Sequence, residues 1–364
     1  MMRRPPPIVD VAVVGAGPAG CATALALRQR GHSCLLIESA GNTRARVGET
    51  LPPAACRPLA ALGVWDEFVA SRPLPSVAIR SIWGRREPQE REFIYDPYGN
   101  GWHLDRARFD AMLLEQATKA GATLLQPARL QSAERDRHGI WALRIAGDVL
   151  HARLVVDASG RAASFARRQG AMRTTRDHLI GVVARYRLPT RQRAEAGVML
   201  LEAAQDGWWY GARLPDAGLV VSYMTDRDFL PRGLSEFESV LGRTEHVAQA
   251  VEGHMLDGPP HPVPADTACL WPVCGAGWLA VGDAAASYDP LSGQGIFKAL
   301  SSGRLAADAI SANLAGDDSS LRYYGAEVCA DFRRALALRS AYYAHEKRWP
   351  ESMFWRRRHA AADA

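Results

Sequence analysis

Apolar and polar positions in the first forty residues fall into three blocks. Ile8 to Val14 is an apolar-rich run of strand length, Pro18 to Arg30 carries alanine and leucine at helical spacing, and Ser33 to Glu38 returns to a short apolar run. Short, nearly continuous apolar runs either side of an amphipathic segment predict two buried parallel strands joined by a crossover helix. The same rhythm recurs three times. A helix is predicted from Arg106 to Ala120 ahead of a strand, and a buried strand closing on Asp157 is followed by a glycine turn and a helix. A strand ending at Val281 leads through a proline-containing loop into a long helix.

Between Arg173 and His261 that rhythm disappears. "HLIGVVARYRL", "GVMLLEAA", "GWWYGARLP" and "GLVVSYMT" read as successive strands separated by turns, and "VAIRSIWG" and "REFIYDP" add two more from an earlier insertion. The expected fold is therefore α/β, a Rossmann-like layer with an inserted, mostly antiparallel sheet. The first layer occupies residues 1–75, 100–172 and 262–318, and the sheet occupies 76–99 and 173–261. Residues 319–364 form a C-terminal helical segment whose apolar spacing predicts that it packs back on the sheet. Trp208 and Trp209 are adjacent on a strand and must point to opposite faces. One is expected to anchor the core and the other to line a cavity, with both as ordinary packing aromatics the alternative.

The turns at the strand ends carry the chemistry. Between the first strand and helix lies GxGxxG, formed by Gly15, Gly17 and Gly20, with Pro18 and Ala19 opening the helix. Gly15 permits the tight turn, Gly17 lets a pyrophosphate approach the backbone, and Gly20 allows close helix–sheet packing. Glu38 closes the second strand, where a carboxylate accepts ribose hydroxyls and disfavours a 2′-phosphate. Strand, loop, helix, strand and acid in this order indicate an adenine dinucleotide.

Composition narrows the partners. The chain has 364 residues, 48% of them hydrophobic, and a net charge of +5 drawn almost wholly from arginine, since the lysines are Lys119, Lys298 and Lys347 alone. Dispersed charge of this size gives no nucleic-acid footprint. No run is long and apolar enough to span a bilayer. Six cysteines without CxxC spacing fit a reducing, cytoplasmic setting, and no metal site is expected.

In this order the segments resemble the FAD monooxygenases of the p-hydroxybenzoate hydroxylase fold, in the branch containing tryptophan halogenases and geranylgeranyl reductases. The resemblance covers about residues 8 to 315 and implies that FAD is the dinucleotide. It implies that Asp283 of "GDAA", after Gly282, binds the ribitol or pyrophosphate, and that Asp157 and Gly160 of "DASG" help hold the pyrophosphate end. Arg106 would face the pyrophosphate. "PLSGQG", with Pro290, Gly293, Gly295 and Ile296, would present backbone N–H groups to the isoalloxazine. "RVGETLPP", from Arg46, is similar to the halogenase segment GESLPP and would bring Arg46 and Glu49 to the flavin; Glu49 could equally be a helix-terminal acid.

Halogenation in that branch requires a lysine a few dozen residues after this segment, and none occurs between Gly48 and Lys119. Arginine is no substitute as a proton donor or amine nucleophile. The resemblance then implies hydroxylation of an aromatic ring through a C4a-hydroperoxyflavin, with O2 as co-substrate and electrons from NADPH or from a separate flavin reductase. Trp208 or Trp209 would wall the ring site. His103 and His178 are the candidate bases, each with an ordinary structural role as the alternative. "SxWG", "GWHLDRxxFD" and "HEKRWPESMFWRRR" are similar to flavoproteins of the LodB/GoxB and QhpG kind, which act during cysteine tryptophylquinone biogenesis. That likeness implies a peptidyl tryptophan in a quinoprotein precursor, admitted through a wide basic mouth to which Arg356–Arg358 could contribute. A small aromatic substrate, a lipid-like substrate of a reductase, and a non-catalytic maturation factor are the competing readings.

Overall fold

The computed structural model describes residues 8–39, 47–187 and 197–360. Arg46 lies outside them.

The opening apolar run forms a parallel strand, Ile8–Val14, and the alanine-rich segment forms the helix Pro18–Gln29. The strand Cys34–Ile37 pairs with the first in parallel. On the other side, Ile8–Val14 pairs in parallel with Asp148–Asp157, which in turn pairs with Trp278–Ala280. These are the core of an eight-stranded sheet, buried because helices cover it. The long helix Gly295–Leu314 crosses Pro18–Gln29 closely enough that a Cβ on Gly303 would meet the carbonyl of Ala19 at 2.7 Å. All of these carboxyl strand ends reach the same edge, where open α/β sheets bind ligands.

The second layer is a ten-stranded sheet. Leu179–Arg187, Gly218–Asp226, Gly207–Arg213 and Gly197–Ala204 run antiparallel, and Gly197–Ala204 then pairs in parallel with Leu74–Ile82. Leu74–Ile82 carries the short strand Gln89–Glu92 along its other side. Two short strands, Thr50–Leu51 and Gly101–His103, also join this sheet.

Strand alternation sends Trp208 and Trp209 to opposite faces, as expected, but both are fully buried. Trp209 stacks on Tyr223 at 4.8 Å and meets Phe237 of the helix Leu234–Leu241. Trp208 packs among Tyr343, Phe354 and Trp355, contributed by the C-terminal helices Ser320–Ala344 and Met353–Ala360. Each face of the sheet thus has its own helical cover, so neither indole reaches a cavity. The expectation that one of them lines the ring site is corrected: both are core.

Two of the three arginines of the basic tail are likewise structural, while Arg356 is exposed. Arg358 is buried, donates to both oxygens of Asp226, and lies 3.4 Å over the Phe354 ring, while Arg357 bonds Asp226 and Asp228. Two guanidiniums committed to carboxylates within the fold do not widen a basic mouth.

Candidate active site

The glycine loop follows from close packing at the sheet edge. Gly15 has φ +107°, and a Cβ there would lie 2.3 Å from the carbonyl oxygen of Ala158; one on Gly20 would lie 2.0 Å from the Gly15 carbonyl. Only glycine fits either position. Gly17 caps the helix, with Pro18 at its first turn. The Ala16 N–H donates to Glu38 Oε2 at 2.8 Å, so the acid also braces the loop. Gly282, at φ +55°, abuts Ala19, which seats the Gly282–Ala284 turn against the same helix.

Three more of the expected glycines border open space. A Cβ on Gly160, Gly293 or Gly295 would meet nothing within 4 Å, although these residues sit in turns between buried elements. Asp283 projects from its turn with 41% of its side chain exposed and Arg161 Nε 3.6 Å away. Ile296, one residue into the long helix, is buried. A glycine-only loop at the start of the helix Pro18–Gln29, with the acid Glu38 braced against it and open space beside Gly160, fits a dinucleotide.

Two expected ligand groups are occupied by the protein. Asp157 is completely buried; Oδ1 accepts from the Ser159 N–H and hydroxyl, and Oδ2 from the Phe165 and Ala166 N–H groups. Its carboxylate therefore builds the Ser159–Gly160 turn from within, and the turn's backbone is what faces the cradle. Arg106 donates to the carbonyls of Val47 and Gly48 and pairs with Asp110, so its guanidinium clamps the segment carrying Glu49. Glu49 is buried, accepts from the Gly48 N–H at 2.9 Å and lies 3.5 Å from Arg185. Burial pushes its carboxyl upward, against the pull of Arg106 and Arg185. Next to it, Thr50 Oγ1 bonds the Tyr210 hydroxyl, tying this turn to the tryptophan strand.

Of the two candidate bases, His103 is fully buried and neither ring nitrogen has a hydrogen-bond partner. Burial lowers its pKa to about 4, so it stays neutral. His178 is exposed beside Asp177 and does not line the cavity next to the Pro290–Gly295 turn.

A cavity of about 710 Å³ lies between the second sheet, the Pro290–Gly295 turn and the helix Ser320–Ala344. Its apolar wall includes Met199, Leu201, Leu291 and Trp83, and Trp83 is the indole that reaches it. Trp83 packs edge-on against Trp208, Tyr343 and Trp355 at 6.3, 5.8 and 5.4 Å. The opposite wall is charged. Lys298 Nζ lies 2.6 and 2.8 Å from the two oxygens of Asp331, which also accepts from the Tyr288 hydroxyl at 2.8 Å. Asp289 caps the Pro290 turn through the Leu291 N–H and accepts from Arg339 and from the Tyr343 hydroxyl. Trp208 Nε1 donates to that same hydroxyl at 2.9 Å. The buried indole thus fixes the turn through Tyr343 and Asp289. Trp83, Asp289, Lys298 and Asp331 do not stand out in the sequence as site residues. The only signals are "SIWG" at a strand end and an aspartate ahead of "PLSGQG".

The strand Leu74–Ile82 presents Ile79 and Ser81 to the cavity, while Arg80 pairs with Glu90.

A glycine-built dinucleotide cradle with a roofed cavity at its reactive end defines a flavin-dependent oxidoreductase. The chain belongs to the FAD binding domain family, whose model matches residues 8–339. It is 30% identical over 363 residues to the FAD-dependent oxidoreductase designated LodB of Marinomonas mediterranea, covering 96% of this chain and 97% of that one. It is 24% identical to a 1H-pyrrole-2-carbonyl peptidyl-carrier-protein brominase of Pseudoalteromonas luteoviolacea, covering 94% and 89%. Among solved structures it resembles the myxobacterial chondrochloren halogenase CndH (TM-score 0.86, 26% identity, 97% and 86% covered). It also resembles the peptidyl tryptophan dihydroxylase QhpG (TM-score 0.76, 25% identity, 97% and 79% covered). No described helix is long and apolar enough to cross a membrane.

Proposed function

We propose that this enzyme is an FAD-dependent monooxygenase that hydroxylates an aromatic, indole-like ring, carried as a peptidyl tryptophan in a quinoprotein precursor. The observation that carries the reading is the cavity beside the Pro290–Gly295 turn: an indole and aliphatic side chains on one wall, and, of the lysines, Lys298 in the lining, already paired with Asp331. The likeness to LodB and QhpG supports the peptidyl substrate.

In this reading Gly15, Gly17, Pro18, Ala19, Gly20 and Glu38 hold the adenosine half of FAD. The Ser159–Gly160 turn, Gly282 and Asp283 would surround the pyrophosphate and ribityl chain, with Arg106 clamping the segment that carries Glu49, and Pro290, Gly293, Gly295 and Ile296 would meet the ring. Bound FAD supplies the oxygen-activating redox chemistry, with O2 as co-substrate and electrons from NADPH or a flavin reductase. The chain's own part is electrostatic and steric. The start of the helix Gly295–Leu314 directs N–H dipoles toward the ring site, where they stabilise developing negative charge. Asp289, locked by Arg339 and Tyr343, keeps that turn in place. Trp83, Met199 and Leu201 exclude water and orient an aromatic ring against the turn. Lys298 donates to both oxygens of Asp331, which holds it against its own wall of the cavity.

The charged wall formed by Lys298, Asp331 and Arg339 argues against a long lipid substrate, since a polyprenyl chain would leave these groups desolvated. The test is product mass with bromide present. Incubation with reductant, O2 and a tryptophan peptide is expected to add oxygen; replacement of a ring hydrogen by bromine would overturn the proposal in favour of halogenation.

A further inference from the structure

One side of the cavity is formed by a strand edge. Gln89–Glu92 pairs only with Leu74–Ile82, in the register Ser81↔Gln89 to Ala78↔Glu92, and its other side meets no strand among the described residues. Gln89, Glu90 and Arg91 all line the cavity. An open edge lined with charges is usually a guard against unwanted pairing. Beyond the strand and outside the cavity lining, Ile94 is 75% and Tyr95 88% exposed, so the guard is not continued along the chain. Across the opening, Leu338 and Tyr342 of the helix Ser320–Ala344 are exposed and line the same cavity. Exposed apolar side chains on one lip of a cleft, facing an unpaired strand edge on the other, mark an interaction surface.

The charges at this opening are unbalanced. Glu90 is held by Arg80, Asp289 by Arg339, and Asp331 by Lys298 and Tyr288. By contrast Arg91 lies 3.9 Å from Asp96, and Arg334 lies 3.7 Å from Asp331, both beyond hydrogen-bonding distance and both about two-thirds exposed or more. Two guanidiniums at the rim remain able to take carboxylates. The space also exceeds one ring: a cavity of roughly 150 Å³ already holds benzene, against about 710 Å³ here.

We propose that Gln89–Glu92 is a docking strand: an extended, acidic segment of the substrate polypeptide pairs along this edge, sets carboxylates on Arg91 and Arg334, and drops an aromatic side chain into the cavity. Main-chain pairing would supply affinity and alternate side chains would supply selectivity. The inference rests on the aromatic substrate proposed above and adds how the chain carrying it is held.

Binding is measured on the oxidised holoenzyme, by calorimetry and without reductant, using short capped peptides with a central tryptophan. Acidic flanks are expected to bind on the order of tenfold tighter than lysine flanks, and added salt to narrow the gap. Arg91→Glu and Arg334→Glu should each cost about fivefold in affinity for the acidic peptide. Both positions are exposed, and flavin absorbance checks that each variant is folded. N-methylation of alternate backbone nitrogens should weaken binding about tenfold for the set facing the edge and little for the other set. Equal affinity for acidic and lysine flanks, indifference to methylation, or N-acetyltryptophanamide binding as tightly as the peptide would overturn the docking strand. Because no turnover is needed, a peptide that binds in this way but is never oxygenated contradicts the hydroxylase reading alone.

Discussion

His103 offers a quantitative test because its surroundings contain nothing to stabilise a charge. The ring is fully buried at the end of the strand Gly101–His103, both nitrogens lack partners, and a Cβ on Gly197 would lie only 2.4 Å from it. Burial lowers its pKa from 6.5 to about 4. A base whose folded pKa lies below its unfolded value takes up a proton on unfolding, so stability is intact above the unfolded value and falls as pH drops toward the folded one. Between about pH 7.5 and pH 5 this single group should remove roughly 2 kcal/mol, from the ratio of the two titration functions. His103→Leu keeps an apolar side chain and removes the titration. Urea unfolding of the holoenzyme and of the variant at both pH values gives the difference directly. The variant is expected to be about 2 kcal/mol less acid-sensitive than the parent. Equal acid sensitivity would refute the neutral, buried imidazole. Loss of turnover in the variant with unchanged flavin content would restore the catalytic-base role that the burial argues against.

The other predictions concern the cradle and the cavity wall. Gly15→Ala places a methyl group 2.3 Å from the Ala158 carbonyl, and the purified variant should be colourless and lack the flavin absorbance of the parent. Tyr343→Phe leaves Trp208 Nε1 and Asp289 each short of a hydroxyl partner; a loss on the order of 1–3 kcal/mol is expected in chemical denaturation. Trp83→Ala removes the cavity's indole and should raise the KM for an aromatic substrate at least several-fold while FAD content stays constant. Lys298→Met should slow turnover without conferring or removing halide incorporation, checked by product mass in bromide.

Local chemistry made the nucleotide half legible. Tight turns, helix caps and buried parallel strands are dictated within thirty residues, which is why Ile8–Val14 and the start of the helix at Pro18 fall where periodicity puts them. Likewise Arg106–Lys119 ends one residue short of the expected helix. What failed depended on contacts made across the chain. Alternation assigns Trp208 and Trp209 to opposite faces, but which face stays open depends on residues far along the chain, more than a hundred for the cover of Trp208. The Arg356–Arg358 run looks like a solvated end until Asp226 is known to lie beneath it. Asp157 reads as a ligand from its place in "DASG", although a buried carboxylate two residues before a serine and eight before a helix N–H is well placed to satisfy its own loop. Trp83 is visible only as part of a family mark, because its role as cavity wall exists only once the sheet is covered by the C-terminal helices.

The most direct test is an isotope measurement on the product. A tryptophan-containing peptide is treated with the FAD-loaded enzyme, a reductant and ¹⁸O₂, and the mass of the recovered peptide is determined. The account predicts incorporation of the heavy isotope into the indole, dependent on both enzyme and reductant. An unmodified indole, or oxygen drawn only from water, would contradict it.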